Sequence, residues 1–216
     1  TGGLVNIQAT NAPHMLFSED NVVAKFNHNK SQWGLFYNLS ARNFKKTYTD
    51  IDETYVLENK TIHRVQEGLH DQNKHFTHNI DLSYNLTEQD KYVFNVVFRN
   101  SVYDAPCLNQ SNKLYDAADA DNYIFSRLKN KQSSYTPSLD LYYQRTLPKN
   151  QMLTMSVTGT LMHTDNNRLY HEYTPQAEDL AMIETDVTGN KRSIIGEAIY
   201  DKRFKFLVFS AGLRHY

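Results

Sequence analysis

The clearest pattern in the chain is an alternation of polar and apolar residues, which is the period of a β-strand. Between residues 75 and 86 every odd position is polar, whereas the even positions carry Phe76, Ile80, Leu82, Tyr84 and Leu86. The same alternation recurs at 32–41 and at 153–161. A helix would mix the two sets of residues because its period is about 3.6. The three segments are therefore predicted to be strands with one apolar and one polar face.

Less regular segments complete the predicted sheet. They lie at 22–28, 92–102, 139–147, 193–200 and 204–213. Short polar turns near residues 30, 89, 149 and 202 join the strands in pairs, and long polar connections lie near 43–73, 103–122 and 163–191. The prediction is an all-β chain, folded as an antiparallel up-and-down meander of about eight or more strands.

The regular alternation of short turns and long connections along the chain predicts that it forms part of a transmembrane β-barrel. Outer-membrane barrels place tight turns at one end, long loops at the other, and an apolar band on the lipid side. The 216 residues have a mean hydropathy of −0.64, and no apolar run approaches the ~20 residues of a membrane helix. A soluble antiparallel β-sandwich that acts as a secreted or surface binding module remains the alternative.

Charge and reactive residues exclude several other functions. The 23 basic and 24 acidic residues nearly cancel, so a nucleic-acid partner is not expected. His75 and His78 are three residues apart on a predicted strand and point to opposite faces, which disfavours a shared metal. Cys107 is the only cysteine, and no nucleophile elbow or phosphate-binding loop occurs. We therefore expect no enzyme activity, no catalytic residues, no metal and no cofactor.

Several short motifs carry a resemblance to a known family. Residues 1–7, Thr-Gly-Gly-Leu-Val-Asn-Ile, resemble the end of the plug domain of TonB-dependent outer-membrane receptors. The motifs at 84–92 and 137–145 and the closing segment 209–216 look like barrel repeats of such receptors, most of all those of the Bacteroidetes type. In the closing segment His215 intrudes before Tyr216, where the family has Gly-Leu-Arg-Tyr.

The resemblance implies a domain division and a function. Residues 1–20 would be the end of the plug and the start of the barrel, and residues 21–216 a partial β-barrel from a whole of about 22 strands. The chain would then be a fragment of a receptor for TonB-dependent nutrient uptake, of a siderophore, cofactor or glycan, in the outer membrane of a Gram-negative cell. Its partners would be outer-membrane lipid, the plug domain, the TonB complex and an extracellular nutrient.

Candidate substrate-binding residues follow from the predicted faces and loops. Polar side chains on the lumen face would contact the plug or line the substrate route, and loop tyrosines would stack on a ligand. The long connections, including residues 107–119, are expected to form the ligand-binding end. The candidates are Arg42, Asp81, Arg99, Tyr103, Tyr115, Asp140, Tyr170, Tyr173 and Arg214.

Overall fold

The computed structural model describes residues 1–14, 16–58 and 60–216, and these residues form one antiparallel β-sheet of eleven strands. The strands are Gly2–Ala12 (β1), Phe17–His28 (β2), Ser31–Thr47 (β3), Ile51–Leu57 (β4), Lys60–Leu69 (β5), Asp71–Glu88 (β6), Tyr92–Asp116 (β7), Asp119–Leu147 (β8), Gln151–Tyr173 (β9), Asp179–Arg203 (β10) and Val208–His215 (β11). Within these ranges no helix has the length and apolar composition needed to cross a membrane.

The strands follow each other in space nearly as they do in sequence. The sheet order is β1-β2-β3-β6-β7-β8-β9-β10-β11, and a β4–β5 hairpin branches off to pair with β7. β1 and β11 are the edges of the main path and β4 is the edge of the branch, so the sheet is open, with a shape consistent with part of a barrel. The predicted all-β antiparallel meander of eight or more strands is confirmed.

The turns at one end of the sheet are tight. Asn29, Asp90, Lys149 and Asn150 adopt positive φ, between 53° and 64°. Asn and Asp tolerate this left-handed conformation better than other residues with side chains, which explains these turn sequences. Turns near residues 30, 89 and 149 therefore lie where the sequence predicts them. The fourth does not, because residues 201–203 still belong to β10 and the connection spans 204–207.

The long connections predicted at the other end are mostly strands. Residues 103–116 extend β7, residues 119–122 begin β8, and only residues 117 and 118 form the turn between them. The 163–191 segment likewise extends β9 and β10 around a connection at 174–178. The described part of 43–73 contains the β4–β5 hairpin. The prediction of long loops is therefore wrong. The sequence does not show these strands because both of their faces carry polar side chains, which hides the period of two.

The first twenty residues also belong to the sheet. Residues 2–12 form β1, which pairs with β2 along its whole length, from Gly2 opposite Asn27 to Ala12 opposite Phe17. The residues expected to end a plug domain are therefore an edge strand. Contacts between strands follow the hydrogen-bonded neighbours, and within the described residues no second sheet packs on this one. The alternative β-sandwich is not the fold of this part of the chain.

A β-bulge divides β7 into two parts. The register of β7 shifts against β6 and β8 between Asp104 and Leu108, where β7 has one residue more than each neighbour. The bulge reverses which residues of β7 face each side. Above it, the partner of β7 changes from β6 to β5, with Leu69 opposite Ser111.

Gly68 permits the segment between β3 and β4 to pack closely against β5. A Cβ atom on Gly68 would lie 2.5 Å from the backbone nitrogen of Thr49 and 2.7 Å from its carbonyl oxygen. The Gly68 amide donates a hydrogen bond to Asp50 Oδ1 at 2.8 Å. The segment that follows β3 therefore crosses directly over β5 at this glycine.

Candidate functional site

One face of the sheet is apolar across eight neighbouring strands. Residues opposite each other in an antiparallel sheet point to the same side, so the register defines rows of side chains. The row at the centre of this face contains Val5, Ala24, Leu35, Leu82, Phe98, Leu139, Gly159 and Ile194. Leu82, Leu139 and Ile194 are 43%, 41% and 63% exposed, so no part of the described chain covers them. We call this side the apolar face.

Aromatic side chains lie at both margins of the apolar face. Toward the tight turns, Trp33 and Tyr84 have ring centroids 4.3 Å apart, and Tyr84 and Phe94 6.3 Å apart. Toward the other end, Tyr37 shares a 2.8 Å hydrogen bond with His78 Nδ1, and Tyr135 lies 5.2 Å from the His163 ring. An apolar band bordered by aromatic rings is typical of barrels in outer membranes.

The opposite, polar face holds hydrogen-bonded side chains at the same height. Ser101 donates to Asn79 Oδ1 at 2.8 Å, and Asn79 donates to Asn38 Oδ1 at 3.4 Å, which links β7, β6 and β3. Asp140 pairs with Arg99 and accepts a 2.8 Å hydrogen bond from Thr158. These networks link neighbouring strands in the direction perpendicular to the chain.

Arg42 lies at the upper end of the polar face. Its guanidinium forms a 3.3 Å ion pair with Glu19 and lies 4.5 Å over the Phe17 ring. His75 is opposite Arg42 in the register, and its Nδ1 atom is buried without a hydrogen-bond partner. Burial, together with the positive charge of Arg42, lowers the pKa of His75. This part of the face therefore carries one fixed cation beside a neutral imidazole at pH 7.

The predicted site residues do not form one site. Asp81, Arg99 and Asp140 lie together on the polar face, because Arg99 is opposite Asp81 and pairs with Asp140. The remaining residues of this face lie at other heights along the strands; they are Arg42, Tyr103, Tyr170 and Arg214. Tyr115 lies on the opposite side because β7 has its bulge below it, and Tyr173 lies there because it alternates in step with Gly159 on β9. Tyr103, Tyr115, Tyr170 and Tyr173 are strand residues and not loop residues, which corrects their predicted setting.

The tyrosines above the bulge take part in side-chain contacts. On the apolar side, Phe125 stacks on Tyr173 with centroids 5.4 Å apart, and Tyr123 meets Phe125 edge-on at 5.5 Å. Tyr115 donates a 2.7 Å hydrogen bond to Glu67, which raises the pKa of Tyr115. On the polar side, Tyr170 donates to Glu172 at 2.5 Å, and burial is the larger reason for its raised pKa.

A cavity of about 250 Å³ occupies the fork where β7 changes partner. Asp71 Oδ2, Ser111 Oγ and Asn130 Oδ1 are buried there without hydrogen-bond partners, and Tyr48 lines the rim. Buried polar atoms normally have partners, so this cavity is suited to water or a polar ligand. The sequence pattern does not reveal this cavity, because its lining residues are scattered between positions 47 and 130.

Comparisons with known proteins give no family assignment. A scan against protein-family models matches none of them to this chain, and a search of curated proteins finds no match. Among the described residues, no group of three or more His, Cys, Asp or Glu side chains lies close enough to hold a metal ion.

Proposed function

We propose that this sheet is the membrane-spanning part of an outer-membrane receptor for TonB-dependent nutrient uptake. The observation that carries the membrane assignment is the apolar row across eight strands, opposite a hydrogen-bonded polar face. In a barrel the first faces lipid and the second faces the lumen. Transport and the TonB complex rest on the sequence motifs at residues 1–7 and 209–216.

The height of the apolar face supports a membrane span. On β9 the side chains of this face run from Leu153, which lies opposite Tyr200, to His163, which lies opposite Tyr135. Ten steps of about 3.4 Å give roughly 34 Å along the strand. A tilt of about 40° reduces this to roughly 26 Å, close to the ~25 Å apolar band of outer-membrane barrels.

The open edges fit the proposal that the sheet is completed by further strands. β1 and β11 each pair on one side only, and Ile7 and Leu213 on these edges are 70% and 82% exposed. Unpaired edge strands associate readily with other strands. A continued barrel wall would pair both edges and close the polar face around a lumen.

Cysteine labelling tests the proposed faces. In a Cys107→Ser background of the full-length protein, Ser156→Cys lies on the polar face and Val157→Cys on the apolar face. We expect a water-soluble maleimide to label Ser156→Cys in intact membranes and Val157→Cys only after unfolding in detergent. Equal labelling in membranes would contradict the lipid-facing assignment.

The energy source needs a separate experiment. Cross-linking in cells that produce the full-length receptor, followed by its purification, should recover the TonB protein of that organism. A barrel that assembles in the membrane but never cross-links to TonB would reject the receptor class and retain the barrel.

A further inference from the structure

A groove interrupts the apolar face beside Gly159. Its walls are Phe98, Leu139, Leu161 and Ile194, and its volume is about 530 Å³. A Cβ atom on Gly159 would meet no atom within 4 Å, so the missing side chain is what opens the groove. Every wall residue named here projects from the apolar face, which makes the groove a lipid-side feature under the proposed function.

A single charge stands at the upper end of this groove. Arg192 lies opposite Leu161 in the register and lines the groove with Ile194. It is the only Lys, Arg, Asp or Glu residue in the four central rows of the apolar face, which run from Met155 to Leu161 on β9.

No acidic side chain of the described chain pairs with Arg192. On β9 and β10 the nearest acids of the same face are Asp165 and Asp186. Asp165 lies four residues above Leu161 on β9, about 13 Å along the strand, and Asp186 lies six residues above Arg192 on β10, about 20 Å along the strand. The guanidinium is therefore exposed on an apolar surface without a counter-charge from its own sheet.

The energetics favour an anionic group at this position. An unpaired Arg on the lipid side of a barrel costs about 2–4 kcal/mol at the midplane and about 0–1 near the interface. Arg192 lies one row below the upper aromatic margin at Tyr135, so its long side chain can extend toward the level of the lipid headgroups. Guanidinium binds phosphate through two parallel hydrogen bonds.

We propose that this groove binds an anionic, phosphate-bearing lipid, with one acyl chain beside Gly159 and the phosphate on Arg192. This inference rests on the proposed function, since it requires the apolar face to meet a bilayer. The apolar walls recognise the chain, and the single charge selects lipids with net negative headgroups over zwitterionic ones.

Native mass spectrometry of the full-length protein tests the lipid site. The protein is loaded in detergent with equal amounts of phosphatidylglycerol and phosphatidylcholine that carry the same acyl chains. Wild type should retain phosphatidylglycerol preferentially, and Arg192→Gln should lower that retention about tenfold, as expected for loss of charge-assisted hydrogen bonds. Arg192→Lys should restore part of it.

Two further variants separate the groove from general charge effects. Gly159→Leu fills the groove and should reduce retention of both lipids. Lys191→Gln removes the neighbouring cation, which points to the polar face, and should change neither. If Arg192→Gln and Lys191→Gln retain phosphatidylglycerol alike, the site is refuted.

Insertion into lipid vesicles, measured on the same preparations, separates the two proposals. Failure of the wild-type protein to insert would overturn the proposed function and the lipid site together. Insertion with no preference between the two lipids would overturn the lipid site alone, and would point to an acidic residue of an adjoining strand as the partner of Arg192.

Discussion

Replacement of Leu82 by Arg tests the lipid-facing assignment at its centre. Leu82 lies between Leu35 and Phe98 in the central row, and its side chain is 43% exposed. The adjacent Ser83 points to the polar face, between Gly34 and Val97, at nearly the same height. Leu82→Arg and Ser83→Arg therefore make the same chemical change in two different environments.

The expected cost follows from the depth of Leu82 on its own strand. Leu82 is six residues from Glu88, at the tight-turn end of β6, and four from His78, at the other margin of the apolar face, which is about 20 and 14 Å along the strand. With a tilt of about 40°, Leu82 lies roughly 15 and 10 Å from these two positions, near the bilayer midplane. Arg at this depth should lower the free energy of unfolding by about 2–4 kcal/mol, or roughly 30- to 900-fold in the folding equilibrium.

The assay is assembly of the full-length protein into phosphatidylcholine vesicles over a series of urea concentrations. Folded and unfolded fractions separate by electrophoretic mobility without heating. We expect Ser83→Arg to shift the midpoint little, because the polar face is hydrated. Asp81→Arg is a poorer control, since its new cation would stand opposite Arg99. Equal stability of the Leu82 and Ser83 variants would refute the assignment of the faces.

Three further outcomes follow from local contacts. Gly68→Ala should undock the β4–β5 hairpin, because its Cβ would collide with the Thr49 backbone, and amide hydrogen exchange at residues 64–69 should accelerate. Gly159→Ala is the control, because its Cβ would have open space around it, and it should leave amide exchange nearby unchanged. Glu88 binds Lys91 at 2.7 Å and Lys30 at 2.9 Å, which lowers the pKa of Glu88 to about 2. A carboxyl titration by NMR should therefore find the pKa of Glu88 near 2, and replacement of both lysines by Gln should return this pKa toward 4.5. Any stabilisation of the fold by Glu88 should be lost only as the pH falls from about 4.5 to 2. Asp140→Asn should release the Arg99 side chain, seen as faster exchange of its guanidinium protons, and unchanged exchange would show that this pair does not order the face.

Strands could be predicted where the two faces of the sheet differ in polarity. Residues 75–86 and 153–161 cross the apolar band, so their outward and inward positions differ and the period of two is visible. Above the band this contrast disappears. Residues 119–135 of β8 carry charged and polar side chains on both faces, and the pattern therefore predicts a loop for residues 119–122 of this extension.

The candidate site was predictable only as a face. Alternation placed Asp81, Arg99 and Asp140 on the polar side, and the register agrees with this. The bulge in β7 could not be read from the sequence, and it is the bulge that moves Tyr115 to the other side. The fork cavity depends on pairings between residues as much as 42 positions apart, such as Leu69 with Ser111, which no local pattern reveals.

The long strands change where ligand recognition is expected under the proposed function. β8 begins at Asp119, after a turn of two residues, and runs sixteen residues before it reaches Tyr135, which is about 54 Å of strand above the upper aromatic margin. Residues 107–116 pair with β5, β6 or β8, so deletion of 107–119 would remove a wall of the sheet instead of a free loop. A ligand would meet fixed side chains on an ordered surface, which costs less conformational entropy on binding than ordering a loop. The fork cavity is thus a better candidate for ligand contacts than the turn itself.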